Sequence, residues 1–202
     1  MARPTLGDLA LQTWEHLGRR AGLGPRSRRA RGFGTFGEGS LICFPPQVIY
    51  NERAIHIGTN TIIGPWCAVS VGMAPGQELL SDRMLVIGDN CLIGRGCSIA
   101  AHFEVVIEDG VYFGPNVFVT DQNHDNARTD IPIGRQSRPE RPVRIGANSW
   151  LGTGVVVTPG VTIGKRVMVG ANSVVTTDLP DDCVAAGAPA RVLKSSAPPV
   201  ES

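Results

Sequence analysis

A chain of 202 residues with a formal net charge of +1 has room for one domain with appendages, and its charge does not favour nucleic acid or a strongly acidic partner. Glycine (25 residues) and proline (15 residues) are abundant while aromatic residues make up only 5%, which favours a thin, turn-rich structure over a helical bundle. No apolar run approaches the ~20 residues that span a bilayer, and the N-terminal residues lack the apolar core of a secretory signal, so we expect a soluble, cytoplasmic protein.

Residues 1–35 are predicted to form an amphipathic helix followed by a basic linker. The apolar stripe of the helix, which spans Thr5 to Arg20, consists of Leu6, Leu9, Ala10, Trp14 and Leu17. The basic residues of the linker are Arg26, Arg28, Arg29 and Arg31. Because the open end of a repetitive domain must be covered, we expect the helix to cap the domain that follows. The alternative is a peripheral contact of this basic segment with an anionic membrane surface.

A six-residue repeat organises residues 36–180. Between Ile145 and Thr176 every first position of the repeat is aliphatic, four of the six first positions are followed by Gly, and each complete fifth position is small or β-branched. A period of six fits neither a helix nor a strand, and it is typical of a hexapeptide β-solenoid. Upstream, the frame returns in blocks of three repeats that begin at Phe36, Ile57, Ile87 and Ile107. Since three repeats make one triangular coil, the blocks predict about five stacked coils.

Three interruptions of the repeat are predicted to form loops. Extra residues follow Val71, occupy Phe103 to Val105, and fill the long stretch from Thr120 to Pro142. Insertions of this kind protrude from the surface of a solenoid as loops and often lie on its binding face. Functional residues are therefore expected at these positions.

The long loop contains the first candidate catalytic histidine. His124 follows the last coil position among polar, turn-favouring residues. A neutral imidazole there can take a proton from a hydroxyl near pH 7. Asp121 or Asp125 would orient the ring by accepting a hydrogen bond from its other nitrogen, and Asn123 belongs to the same candidate group. The alternative is a loop histidine that is hydrogen-bonded to a turn.

A second histidine lies at the interruption one coil earlier. Stacking of the coils would bring His102 toward His124, and Glu104 lies at the same interruption. The alternative for His102 is a rim histidine that caps a loop. The remaining histidines are less informative, because His56 should point outward from a strand and His16 belongs to the N-terminal helix.

The five cysteines are predicted to be structural. Cys67, Cys91 and Cys97 occupy the inward fifth position of the repeat, where small residues stand elsewhere, and we expect them to be reduced core residues. Cys43 and Cys183 have no CxxC spacing, so neither a metal site nor a disulfide is predicted for them.

The segments NSWLGTGVVVTPGVTIG and VGANSVVTTDLPDDCVAAGAPARVL, together with the repeat frame and the NHD loop, resemble the hexapeptide-repeat acyltransferases. The resemblance is to the maltose, galactoside and nodulation-type O-acetyltransferases and the xenobiotic acetyltransferases, and it covers roughly Phe36 to Lys194. It implies an all-β solenoid, specifically a left-handed parallel β-helix with a short N-terminal helix and a protruding loop. It also implies a homotrimer with acetyl-CoA as acyl donor in the groove between neighbouring subunits, and no metal ion.

The resemblance assigns roles to particular residues. His124 would be the general base that deprotonates an acceptor hydroxyl as its oxygen attacks the thioester, with the oxyanion held by backbone N–H groups or a neighbouring side chain. The implied cofactor-binding residues are Thr153, Ala171, Thr176, Thr177, Arg191 and Lys194. Thr177 stands where the family carries a lysine, so one charged contact is lost. The last two residues belong to a cofactor-side segment, 181–202, whose end is predicted to be disordered.

These features together predict acetyl-CoA-dependent O-acetyl transfer to a hydroxyl of a saccharide or glycoconjugate. The resemblance makes His102 and Glu104 candidate acceptor-binding residues. Because His102 stands where the acetyltransferases of small sugars carry an asparagine that contacts the acceptor, we expect a different acceptor. One alternative is N-acetylation of an amino sugar or antibiotic by the same base and cofactor groove. Another is a non-catalytic or zinc-binding trimer, for which His102 and His124 provide too few ligands within one chain.

Overall fold

Short strands separated by tight turns form a solenoid with three flat faces. The computed structural model describes residues 4–195 and places one sheet on each face. With strands numbered in chain order, the first sheet contains β1 (Thr35–Phe36), β4 (Ile55–Ile57), β7 (Leu85–Ile87), β10 (Val105–Ile107), β13 (Val143–Ile145) and β16 (Thr162–Ile163).

The second sheet contains β2 (Leu41–Ile42), β5 (Ile62–Ile63), β8 (Leu92–Ile93), β11 (Tyr112–Phe113), β14 (Trp150–Leu151), β17 (Met168–Val169), β19 (Cys183–Gly187) and β20 (Ala190–Ser195). The third contains β3 (Val48–Tyr50), β6 (Ala68–Val71), β9 (Ser98–Ala101), β12 (Phe118–Thr120), β15 (Val156–Val157) and β18 (Val174–Val175). All pairs are parallel and in register except the antiparallel pair of β19 and β20. The predicted parallel solenoid is confirmed.

Six coils are stacked, one more than the sequence interpretation expected. The first and third sheets each contain six strands from successive coils. The uninterrupted segment from Ile145 to Thr176 accounts for the difference, because its six strand positions make two coils instead of one.

The repeat positions explain how each coil forms. First-position aliphatic residues such as Ile63 and Ile99 point inward and are fully buried. Fourth-position residues turn the chain with left-handed backbone angles, as at Asn148 (φ 60°), and asparagine tolerates this region better than most residues. Fifth positions also point inward. Ser149 is a polar fifth residue, and its Oγ donates to Gly164 O of the next coil at 2.8 Å.

The core cysteines follow the same rule, and the prediction that they are buried thiols is confirmed. Cys67, Cys91 and Cys97 are at most 2% exposed, and all five cysteines are free. The thiol of Cys97 donates to Gly114 O at 3.2 Å. Burial raises the pKa of the Cys91 thiol, which makes it a poor nucleophile.

Second-position glycines allow the coils to approach closely, and this leads to a stability prediction. A Cβ atom on Gly94 would lie 2.7 Å from the backbone carbon of Gly114 in the next coil. We expect Gly94→Ala to lower the free energy of unfolding by about 1–3 kcal/mol, the usual cost of overpacking. Gly134→Ala is the control, because no atom of residues 4–195 lies within 4 Å of its added Cβ. Urea unfolding of both variants tests this, and equal stabilities would contradict it.

The N-terminal helix forms as predicted but does not cap the solenoid. Helix α1 (Leu6–Arg20) begins at Thr5, whose side chain and that of Asp8 form a capping box. Its large apolar side chains stay exposed, and the Trp14 ring contacts the Phe44 ring, with 5.7 Å between their centroids. The first coil is covered instead by a later segment. In this segment, residues 21–33, Ala30 and Phe33 are buried, Phe33 belongs to the hydrophobic core, and Leu23 packs against that core.

The remaining elements are short. Single-turn 3-10 helices span Arg29–Gly32, Glu52–Ala54 and Ile133–Arg135. The predicted disorder at the C-terminus falls mainly on residues 196–202, which lie outside the described residues, and the domain boundaries stay predictions. Within residues 4–195 no helix has the length and apolar character needed to cross a bilayer.

All three interruptions of the repeat leave the solenoid from one edge. Strands β6, β9 and β12 are neighbours in the third sheet, with β9 hydrogen-bonded to both others. Each of these strands ends where extra residues begin. The loops are therefore stacked side by side along that edge.

Candidate active site

The long loop after β12 positions the ring of His124. Its Nδ1 lies 3.2 Å from the carbonyl oxygen of Gln136, and its backbone N–H donates to Asn123 Oδ1 at 2.8 Å. A bridge between His124 and Ser137 pairs the outgoing and returning arms of the loop. Because a carbonyl only accepts, Nδ1 of the neutral ring carries the hydrogen, and Nε2 keeps its lone pair. The ring is exposed, so this nitrogen can meet a ligand.

The expectation that Asp121 or Asp125 orients this ring is wrong for the described chain, because a backbone carbonyl takes that place. The Asp125 carboxylate accepts from the backbone N–H of Asn126 at 2.8 Å and from Arg138 Nε at 3.3 Å. These contacts, the backbone hydrogen bond above all, lower the pKa of Asp125. Its carboxylate is thus bound by Asn126 and Arg138, whereas the imidazole is bound by Gln136.

Asp121 supports the second histidine instead of the first. Its carboxylate is completely buried and accepts three backbone N–H groups of the preceding loop, those of His102, Phe103 and Glu104, at 2.8, 2.8 and 2.7 Å. A carboxylate is suited to this task because its two oxygens together accept several donors. Asp121 therefore fixes the turn that carries His102.

Gln136 positions the loop and was not identified from the sequence. Its side chain is buried and bridges the loop, donating to the carbonyls of Arg128 (2.8 Å) and Ile131 (3.0 Å) and accepting from the Arg128 N–H (3.0 Å). Its own carbonyl holds His124. No motif or spacing marks this glutamine, because its partners are set by the path of the loop.

His102 and His124 line one cavity of about 380 Å³, as the stacking of coils predicted. Its wall also includes Asn123 and residues of β9, β12 and β15. The Nδ1 atom of His102 is buried without a hydrogen-bond partner among the described residues. Such an unsatisfied atom is uncommon in folded proteins and calls for a functional explanation. Glu104 is exposed and does not line this cavity.

The implied cofactor residues lie at three separate places. Thr153 and Ala171 occupy equivalent exposed corners of successive coils, between the second and third sheets. Thr176 lines a second cavity of about 510 Å³ beside Asn123, and Thr177 is the next exposed residue. The exposed residues of the hairpin strand β20 include Arg191 and Lys194. The single chain does not enclose these six residues in one pocket.

Other features lie apart from the histidine pair. A larger cavity of about 660 Å³ lies between β3 and the loop after β6 and contains none of the predicted site residues. Within the part of the chain that the structure describes, no group of three or more His, Cys, Asp or Glu side chains is placed to hold a metal ion.

Two family models match the repeat. Residues 142–177 match the bacterial transferase hexapeptide model, and residues 84–121 match the hexapeptide repeat of succinyl-transferase. Galactoside O-acetyltransferase of Escherichia coli (strain K12) is 39% identical over 101 residues, which cover 48% of this chain and 46% of the relative. The chain thus spans about half the length of the curated relatives it matches.

Solved structures share the fold over most of the chain. A variant of the N-acyltransferase AntD from Bacillus cereus, in complex with dTDP-4-amino-4,6-dideoxyglucose and coenzyme A, superposes with a TM-score of 0.70, 22% identity and coverage of 88% of this chain and 91% of that one. A hexapeptide-repeat acetyltransferase from Vibrio cholerae, complexed with acetyl-CoA, gives a TM-score of 0.53, 24% identity and coverage of 95% and 90%. These likenesses identify the solenoid as a left-handed β-helix.

Proposed function

We propose that this chain, which belongs to the hexapeptide-repeat acetyltransferase family, transfers an acetyl group from acetyl-CoA to a hydroxyl of a saccharide or glycoconjugate. The observation that carries the proposal is the cavity shared by His102 and His124, in which the ring of His124 is held by a carbonyl at Nδ1. A histidine fixed in this way presents a basic Nε2 toward a bound hydroxyl.

His124 acts as the general base in this reaction. Its Nε2 takes the proton of the acceptor hydroxyl while that oxygen forms a bond to the thioester carbon. The tetrahedral intermediate then collapses, the carbon–sulfur bond breaks, and the thiolate of CoA takes the proton back from the imidazolium. The carbonyl of Gln136 continues to accept from Nδ1 throughout, which keeps the ring in place as its charge changes.

His102 donates a hydrogen bond to the ligand in the same cavity. Orphaned buried N–H groups are rarer than orphaned acceptors. The buried, unpartnered Nδ1 of His102 therefore favours a neutral ring with its hydrogen on Nε2. The two histidines then have opposite tautomers, one a base and the other a donor. That donor would stabilise the oxyanion or hold the acceptor oxygen.

A pair of substitutions tests the donor role of His102. We expect His102→Leu to slow transfer about 10²-fold, the usual cost of one lost oxyanion donor. His102→Asn keeps an N–H donor and should retain more activity. Because Nδ1 has no partner, neither variant should lose stability in urea unfolding. A rim histidine with only a structural role would show the reverse pattern, with lower stability and unchanged turnover.

The cofactor would lie in a groove between subunits of a homotrimer. Within one chain, Thr153 and Ala171 lie at corners of the solenoid that are separate from the cavity lined by Thr176. A groove between two neighbouring subunits can contact one ligand from both sides, which supports this arrangement. Arg191 and Lys194 would meet the nucleotide phosphates. Light scattering of the purified protein tests the trimer, and a monomer that binds CoA would contradict it.

The activity is tested by release of the CoA thiol from acetyl-CoA with a panel of sugars. The panel contains matched pairs with either a hydroxyl or an amino group at one position, and the product is identified by mass spectrometry. Turnover on the hydroxyl members is expected. If only the amino sugars are acetylated, the function is N-acetylation. If no member of the panel causes release of the CoA thiol, neither transfer takes place.

The compartment and any membrane contact are also proposals. Five free cysteines support a reducing compartment such as the cytoplasm. The exposed apolar residues of α1 next to the basic linker support a peripheral contact with an anionic membrane. Co-sedimentation with phosphatidylserine vesicles tests this contact, and equal recovery with neutral vesicles would contradict the role of charge.

A further inference from the structure

The cavity of about 510 Å³ that Thr176 lines adjoins the histidine cavity. The two share Asn123, Thr158 and Pro159 as lining residues. Its other walls include Arg138 and Arg141, whereas none of the described residues that line it is acidic. A ligand at His124 therefore has an arginine-lined space beside it, which the sequence interpretation did not identify.

Arg141 is held against the solenoid in a way that leaves most of its donors free. Its Nη2 donates to Pro159 O at 2.9 Å, and its backbone N–H donates to Asp121 O at 2.9 Å. Gly160, with φ of +82°, makes room for the guanidinium, because a Cβ there would lie 2.9 Å from Arg141 Nε. Among residues 4–195 this arginine forms no ion pair.

Arg138 is the second arginine that lines this cavity, and its ion pair with Asp125 is weak. Its Nε lies 3.3 Å from Asp125 Oδ1, and the two side chains are 55% and 36% exposed. Ion pairs that are exposed to this extent contribute little. The guanidinium of Arg138 is therefore available to a ligand at small cost.

We propose that Arg138 and Arg141 bind a carboxylate or phosphate group of a ligand that reaches His124. A planar guanidinium with free N–H groups matches such an anion, often with two parallel hydrogen bonds. This inference rests on the proposed function and narrows it. The anion belongs either to the acceptor, for example a uronic acid or a sugar phosphate, or to the phosphates of CoA.

Binding titrations with four probes distinguish these sources without requiring turnover. Methyl glucuronide and methyl glucoside differ by one carboxylate, and CoA and pantetheine differ by the nucleotide with its phosphates. Dissociation constants are measured by titration calorimetry at fixed ionic strength, for the wild type, Arg141→Gln and Arg135→Gln. The last variant is the control, because it removes the same charge from the same loop but does not line the cavity.

We expect the wild type to prefer the charged member of one pair and Arg141→Gln to reduce that preference about tenfold, since a hydrogen bond to a charged group is worth about a factor of ten or more. Loss of preference for the glucuronide assigns the anion to the acceptor, and loss of preference for CoA assigns it to the donor. Unchanged preferences in Arg141→Gln, an equal loss in Arg135→Gln, or no binding of any probe to the wild type would overturn the inference. If CoA binds but no sugar releases its thiol, only the proposed function fails.

Discussion

Replacing His124 with alanine is expected to slow acetyl transfer by about 10²–10⁴-fold, the usual contribution of a general base. Without the imidazole, no described side chain in the cavity is held with a basic nitrogen toward the acceptor, because His102 is expected to be a donor there. The loss should fall on kcat, since a proton transfer in the transition state is removed while the walls of the cavity stay. Steady-state thiol release with a sugar that the wild type accepts measures this.

The control is His16→Ala, which removes an imidazole from the exposed face of α1, on a different part of the chain. It should keep wild-type turnover. The oligomeric state of both variants is measured alongside. If His124→Ala keeps its assembly and its full rate, His124 is a loop residue bonded to a turn, and the proposed mechanism is wrong.

The largest effect on stability is expected for Asp121→Asn, a loss of about 3 kcal/mol in the free energy of unfolding. The carboxylate accepts three backbone N–H groups while fully buried, and hydrogen bonds to a charged group are worth about 1.5–3 kcal/mol each. An asparagine amide turns its NH₂ group toward at least one of these donors, which leaves that donor without an acceptor. The turn that carries His102 should loosen, so transfer should slow as well.

Asp125→Asn is the matched control, because it makes the same substitution four positions later on the same loop. Asp125 is only partly buried and holds an exposed arginine at 3.3 Å, so we expect a change within about 0.5 kcal/mol. Urea unfolding at one fixed protein concentration compares the two variants. Equal losses of unfolding free energy would contradict the prediction, because the buried carboxylate of Asp121 would then contribute no more than that of Asp125.

Two features of the structure could be predicted from the six-residue repeat. A stacked coil brings like positions of successive turns into contact, so interruptions after neighbouring coils must lie side by side. His102 and His124 stand at two such interruptions and line the same cavity. The burial of Cys67 and Cys97 followed for the same reason, because the fifth position points inward in every coil.

The loop contacts did not follow from the sequence. The aspartates near His124 suggested a carboxylate partner for its ring, yet a carbonyl of Gln136, twelve positions later, occupies that place. Asp121 turns into the core to bind the preceding loop, and Arg141 returns across Gly160 toward the cavity. These partners depend on the path of an irregular loop and on rotamers, which no periodicity constrains.

The sequence by itself determined the solenoid, its inward-facing residues and the edge at which the histidines meet, because a six-residue period acts through local strand and turn preferences repeated in every coil. Only the tertiary structure decided which groups orient the histidines and that an arginine-lined cavity adjoins the site. It also decided that Ala30 and Phe33, and not α1, cover the first coil. Each of these depends on contacts between segments that are distant in the chain, and the free energy of such contacts is set by geometry that residue spacing does not encode.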